Sequence, residues 1–263
     1  MSTSPIQDEQ GHPIAIRVRG LINQFGEKVV HKDLDLDVRE GEIIGVIGPS
    51  GCGKSVLLRS IVGLITPKKA DIEVFGVNLN ETDRAGRRDI EQGWGVMFQD
   101  GALFSTLSVR ENVMAPMREH LEDMPVSLMR ELADMKISMV GLEPDAAGKR
   151  PSSLSGGMRK RAALARSIAL DPRLLFLDEP TAGLDPISAG NFDTLLRGLA
   201  DALNLTVFLV THDLDSLGAV CDRVAVLNRG KVLAVGTLAE VRANPDPWIQ
   251  DYFSGKRGRA ALG

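Results

Sequence analysis

Gly48-Pro49-Ser50-Gly51-Cys52-Gly53-Lys54-Ser55 follows the apolar run Ile43-Ile44-Gly45-Val46-Ile47 and precedes Val56-Leu57-Leu58-Arg59-Ser60-Ile61. The octet fits the G-x-x-x-x-G-K-[ST] pattern, and its setting between a buried strand and a helix is as informative as the pattern. The glycines let backbone N–H groups turn inward around phosphate oxygens, and the helix that opens at Val56 presents its positive end to them. Lys54 is placed to reach the β- and γ-phosphates, and the Ser55 hydroxyl to ligate Mg²⁺. Cys52 has two readings. Converging N–H groups and Lys54 would stabilise a thiolate and lower its pKa, or the side chain turns away and is simply small enough for the loop.

Working outward, Leu174-Leu175-Phe176-Leu177 ends in Asp178 and Glu179, so an apolar strand delivers two carboxylates beside the cradle. Asp178 suits the Mg²⁺ shell and Glu179 the water that attacks the γ-phosphate. Val207 to Val210 is a third apolar run, and such runs read as strands of a parallel sheet covered on both faces. Leu34, Leu36 and Val38 alternate with Asp33, Asp35 and Asp37, the pattern of a strand with one wet face. Leu128, Leu132, Met135 and Met139 share helical spacing over Val126 to Met139, with Gly141 as the stop, and a further helix is expected from Ser188 to Leu203. Ser155-Gly156-Gly157-Met158 heads a basic helix; the cap and bare N–H groups imply a second anion site. Read alone, it is a cap and a turn.

The chain has 263 residues with 31 Lys+Arg against 35 Asp+Glu, a net charge of −4, and 25% charged and 43% hydrophobic residues. That is an ordinary globular composition without the basic excess expected of a nucleic-acid binder. Met1 to Gln10 lacks the pattern of a secretory signal, and Arg59 interrupts the longest apolar candidate, Val56 to Ile65, so any membrane role is expected to run through a partner. Cys52 and Cys221 form neither a disulfide framework nor a metal cluster, which points to a reducing cytosol. Ser254 to Gly263, with Lys256, Arg257 and Arg259, is expected to be a disordered basic tail, the alternative being contact with anionic headgroups.

Taken together, these motifs resemble the ATP-binding cassettes of ABC transporters over Ile16 to about Val241. The resemblance implies a P-loop α/β fold with a RecA-like core, an amino-terminal antiparallel β subdomain and a helical subdomain at about 100–170, within a cassette spanning 14–253. Gln99 stands at the family's Q-loop, Ala182 to Asp185 resembles the D-loop, His212 the switch histidine, and Phe25 the aromatic that stacks on adenine. By resemblance two chains face head to tail, and the Ser155-Gly156-Gly157 loop of one closes over ATP in the other. Glu179 is then the base, His212 contacts the γ-phosphate, Gln99 senses Mg²⁺ and links to a membrane permease, and Asp185 couples the two sites. Two departures stand out: Met158 replaces the usual Gln, and Lys68-Lys69-Ala70-Asp71 replaces a Gly-rich turn before an expected strand from Ile72 to Phe75.

A narrower likeness rests on Phe98-Gln99-Asp100-Gly101-Ala102-Leu103-Phe104, Pro116-Met117-Arg118-Glu119-His120, Leu154 to Met158 and Asn244 to Pro247. These stretches look like the ATPase of Mla- or MCE-type lipid transporters of double-membraned bacteria, in which Met at the signature position is common. This likeness implies an MCE-domain protein and a small STAS-domain protein as further partners, at the cytoplasmic face of the inner membrane. A cassette for another solute shares every catalytic residue. A soluble ATPase of translation or DNA repair fits less well, because Lys54 and Asp178 are only 178 − 54 = 124 positions apart, too few for a long insertion. Leu103 and Phe104 either line a groove for a permease helix or pack into the core.

Overall fold

The computed structural model describes residues 6–254. The chain begins with β1 (Ile14–Phe25), β2 (Lys28–Arg39), β3 (Ile43–Ile47), α1 (Lys54–Ile61), β4 (Lys69–Val74), β5 (Val77–Asn78), α2 (Arg84–Gln92) and β6 (Trp94–Met97). A helical stretch follows with α3 (Val109–His120), α4 (Val126–Met139), two short 3-10 turns and α5 (Gly156–Ser167). The remainder alternates β7 (Leu174–Asp178), α6 (Pro186–Leu203), β8 (Thr206–Val210), α7 (Leu214–Val220), β9 (Arg223–Asn228), β10 (Lys231–Gly236), α8 (Leu238–Arg242) and α9 (Pro247–Ser254).

Six strands form one sheet in the order β10-β9-β3-β8-β7-β6, in which β10 pairs antiparallel and the rest are parallel. A second, antiparallel sheet has the order β2-β1-β4-β5. The uninterrupted apolar runs are explained by the two sides of the large sheet. Leu175 and Leu177 of β7, with Ile43, Val207 and Leu209, pack against the core of α3 to α6. Leu174 and Phe176, with Ile44, Val46, Phe208 and Val210, pack against α1 and the antiparallel sheet. Period-two strands covered on both faces read as continuous hydrophobic sequence. β2 shows the opposite case: Leu34, Leu36 and Val38 are buried while Asp33 and Asp35 are exposed.

Two element bounds need correction, those of the strand at Ile72 and of the helix at Ser188. Helix α4 has the expected bounds, but its buried face is Met129, Ala133, Lys136 and Ile137, whereas Leu128 and Met135 are exposed. Leu132 and Met139 of the Leu/Met stripe pack partly buried against the same core, so the stripe borders the buried face, in which Lys136, paired with Asp171, takes a core position. The strand expected from Ile72 to Phe75 begins at Lys69 and stops at Val74; Phe75 takes φ 48° in the following turn, with the Arg173 guanidinium 3.9 Å over its ring. Helix α6 starts before Ser188, because Asp185 caps it and Pro186, preset for a first helical position, opens it. Of the expected basic tail only Ser254 lies among the described residues, and it closes α9. Among them, no helix is long and apolar enough to cross a membrane.

Candidate active site

The adjacent parallel strands β3, β8, β7 and β6 release the chain at the same sheet edge, the carboxyl edge where open α/β sheets bind ligands. From β3 comes the Gly48–Ser55 loop, from β8 His212, from β7 Asp178 and Glu179, and from β6 Gln99. Strand order in the sheet therefore gathers residues that are far apart in sequence.

The loop is shaped by what lies behind it. At Gly48 (φ 155°) a Cβ would meet the Leu227 carbonyl oxygen at 2.0 Å, and at Gly53 (φ 108°) it would meet His31 Nε2 at 2.5 Å. Only glycine satisfies both the turn and the close approach. Lys54 Nζ donates to the carbonyls of Gly48 (2.9 Å) and Pro49 (3.1 Å), so its ammonium lies along the rim of the loop. Ser55 Oγ donates to Asp178 Oδ1 at 2.8 Å, and Asp178 is 2% exposed. A hydroxyl and a carboxylate converging in this way form a hard-oxygen pair that fits Mg²⁺. Among the described residues no group of three or more His, Cys, Asp or Glu forms a metal cage, so phosphate oxygens and water would complete the shell.

Cys52 does not follow the thiolate expectation. Its Sγ lies 2.9 Å from where a Gly48 Cβ would stand, and the side chain packs against the core behind the loop. Burial pushes the thiol pKa up, outweighing the opposing attraction of Lys54. The sulfur points back into the protein rather than toward the anion site.

Beyond the cradle, Glu179 takes φ 52°, and its N–H donates to Val210 O at 2.8 Å, binding the turn after β7 to β8. Its Oε2 lies 2.7 Å from His212 Nδ1. Because a carboxylate only accepts, Nδ1 carries the proton, leaving Nε2 for another partner. Tyr252 of α9 donates its hydroxyl to the His212 carbonyl at 3.4 Å, and burial pushes the phenol up to about 12. The Tyr252 ring stacks on Trp248 at 4.9 Å.

Not all of the expected residues converge in one chain. Phe25 ends β1 and is 48% exposed. Ser155 Oγ accepts from Met158 N at 3.2 Å, as an N-cap does. A Cβ at Gly156 would meet only Leu184, and one at Gly157 would meet nothing within 4 Å. No described contact joins this loop to Gly48–Ser55. Asp185 accepts from Ile187 N (3.1 Å) and Ser188 N (3.0 Å), and hydrogen bonding from Ser188, by its side chain first and then its backbone, lowers the Asp185 pKa. Several partners were not anticipated from sequence: His31 behind Gly53, Tyr252 under His212, and Lys160, whose Nζ donates to the Gln99 carbonyl and, at 3.3 Å, to that of Glu179. Lys160 falls within the basic helix start, where nothing in the sequence marks it as buried.

Residues 31–182 match the family described as ABC transporter. The chain is 39% identical to the intermembrane phospholipid transport system ATP-binding protein MlaF of Haemophilus influenzae, over 92% of this chain and 90% of that protein. It is 35% identical to the probable ribonucleotide transport ATP-binding protein mkl of Mycobacterium leprae, over 93% of this chain and 70% of that one. Its fold matches the dimeric ATP-binding cassette MJ0796, solved in a post-hydrolysis state bound to ADP and Pi, with a TM-score of 0.77 and 30% identity over 85% of this chain and 98% of that one. With a phosphate loop, an acidic strand end and a glutamate–histidine pair on one sheet edge, the chain belongs to the ABC transporter family, as an ATP-binding and ATP-hydrolysing subunit.

Proposed function

We propose that this cassette, spanning 14–253 with a helical subdomain at about 100–170, hydrolyses ATP as a head-to-tail dimer and drives phospholipid transport through a separate membrane permease. The observation that carries the hydrolytic reading is the 2.7 Å Glu179–His212 pair beside the 2.8 Å Ser55–Asp178 pair. Lys54 leaves the carbonyls of Gly48 and Pro49 for the β- and γ-phosphates, while the loop N–H groups hold their oxygens. Mg²⁺ arriving with the nucleotide would be held by Ser55 and Asp178 and would supply charge neutralisation at the phosphates. Glu179 takes a proton from the attacking water as its oxygen bonds the γ-phosphorus and the bond to the β-phosphate oxygen breaks, giving ADP and phosphate. His212 orients Glu179 through Nδ1 and turns Nε2 toward the γ-phosphate.

Phe25 stacks on adenine, Gln99 reports the metal shell to the permease, and Asp185 links the two sites of the dimer. The outward-facing Ser155-Gly156-Gly157 loop supports its use against the ATP of a second copy, where its N–H groups complete the site. The phospholipid reading is supported by the MlaF likeness. On the same basis the dimer sits at the cytoplasmic face of the inner membrane, with MCE-domain and STAS-domain proteins as further partners. The likeness to the mkl protein favours a second reading, a cassette for another small solute.

Glu179→Gln in the assembled transporter is expected to keep ATP affinity, accumulate ATP-bound dimers and lower kcat by about 100-fold or more. Turnover within twofold of the wild type removes Glu179 as the base. ATP-dependent transfer of a fluorescent phospholipid between vesicles, lost in Glu179→Gln, supports the lipid reading, and its absence in a transporter that still hydrolyses ATP favours the small-solute one.

A further inference from the structure

Helix α5 begins with the Gly156–Gly157 pair, and one turn later it carries a lysine that is buried. Lys160 is 8% exposed on a helix whose other cations have solvent access or a surface partner. An ammonium has three N–H donors and no acceptor, and removing it from water is costly unless those donors are used. Here the acceptors are main-chain carbonyls, one from Gln99 and one from Glu179. Burial lowers the Lys160 pKa, while the nearby Asp100 and Glu179 carboxylates oppose that and favour the charged form.

The same helix holds the rest of the loop after β6. Arg166 donates from Nη1 to the Ala102 carbonyl at 2.6 Å and from Nη2 to that of Gly101 at 2.8 Å. A Cβ at Gly101 would approach Ala163 Cβ to 3.1 Å. Lys160, Ala163 and Arg166 thus lay residues 99–102 along α5, and only Lys160 also reaches the turn that carries Glu179. That turn is held on its other side by the Glu179 N–H bond to Val210.

We infer that Lys160 is a positioning residue for hydrolysis: its ammonium pins the backbone at Gln99 and Glu179 to α5, so the helix that presents Ser155–Gly157 to a second copy also sets the glutamate and the loop facing the permease. The inference rests on the assignment of Glu179 as base. A shift of α5 when the dimer closes is passed to both carbonyls through one side chain, without any change in the nucleotide contacts made by Lys54 or Ser55. Lys160 touches no reacting atom, so its loss acts on turnover rather than on ATP binding.

The test uses the full transporter with Lys160→Met, Lys160→Gln and Lys160→Arg, and Glu179→Gln beside them. Lys160→Met is expected to lower kcat about tenfold or more, with KM for ATP within twofold and the thermal midpoint close to wild type. Lys160→Arg, which keeps the charge and donors, restores much of that loss. A role confined to stability would lower the midpoint and would not separate kcat from KM. If Lys160→Met does not fold, Lys160→Gln decides, with kcat lowered severalfold at unchanged KM. Wild-type kcat in a folded Met or Gln variant, while Glu179→Gln is inactive, overturns the pin and leaves the base in place. If Glu179→Gln itself turns over normally, the base assignment fails and takes the inference with it.

Discussion

Gly53 carries two constraints at once, a φ of 108° and a Cβ direction that ends 2.5 Å from His31 Nε2 and 2.6 Å from Val30 Cγ1. Behind it, His31 Nδ1 bonds Asn23 Oδ1 at 2.7 Å, and Asn23 Nδ2 donates to Ser60 Oγ of α1 at 3.1 Å, so the loop rests on a buried polar chain that cannot move aside. Gly53→Ala is therefore expected to destabilise the fold by about 1–3 kcal/mol through backbone strain alone, and to weaken ATP binding by tenfold or more. Thermal unfolding and equilibrium nucleotide binding check this, and normal values in both would show that the loop yields. The Gly-Lys-Ser pattern was legible in sequence because it is local. The direction of Cys52 was not, since a side chain's choice between core and ligand is made by its neighbours, here Gly48 and Leu227.

The loop after β6 shows how far an element can be read before its packing is known. Phe98 to Phe104 was recognisable as a unit, but its last two residues divide: Leu103 packs against the helical core, while Phe104 is 55% exposed and lines a cleft with Trp94, Pro116, His120 and Arg166. The core-packing reading therefore holds for Leu103 and not for Phe104. Phe104→Ser should leave the thermal midpoint nearly unchanged and reduce co-purification with the permease, since an exposed aromatic in a cleft contributes to a partner rather than to folding. A large drop in midpoint with normal co-purification would return Phe104 to the core. Strands β3, β7 and β8 were legible for a related reason, because burial on both faces leaves an unbroken apolar run. Helix α4 was legible in length and only partly in face: Leu132 and Met139 lie against the core, while Lys136, buried and paired with Asp171, takes a core position that a charged residue does not announce.

At the scale of the whole molecule, two buried groups oppose each other in acid. His31 is fully buried, and burial lowers it to about 4, so between its ordinary 6.5 and that value the unfolded chain binds a proton that the folded chain does not. Stability from this group falls as pH drops through that window. Asp193 of α6 accepts from Ser216 Oγ of α7 at 2.7 Å, and burial raises it to about 6 from 3.8. Its contribution is present at low pH and is lost as pH rises from about 4 through 6. Asp193→Asn keeps an acceptor for Ser216 and removes the buried charge, so it should stabilise the protein more at pH 7.5 than at pH 4.5, by about 2–3 kcal/mol for a displacement of about two pH units. Urea unfolding of both proteins at the two pH values measures this, and an equal effect at both would exclude Asp193 as the acid-sensitive group. The bond from Tyr252 to the His212 carbonyl has a further consequence, for synthesis. Chains emerge from the ribosome amino end first, and β3 pairs with β8 and β9, so the phosphate loop can be seated only once β9 has been made, and the His212 loop gains its tether later still, when α9 follows. The two sides of the site are thus completed at different points of synthesis, the phosphate loop with β9 and the His212 tether with α9.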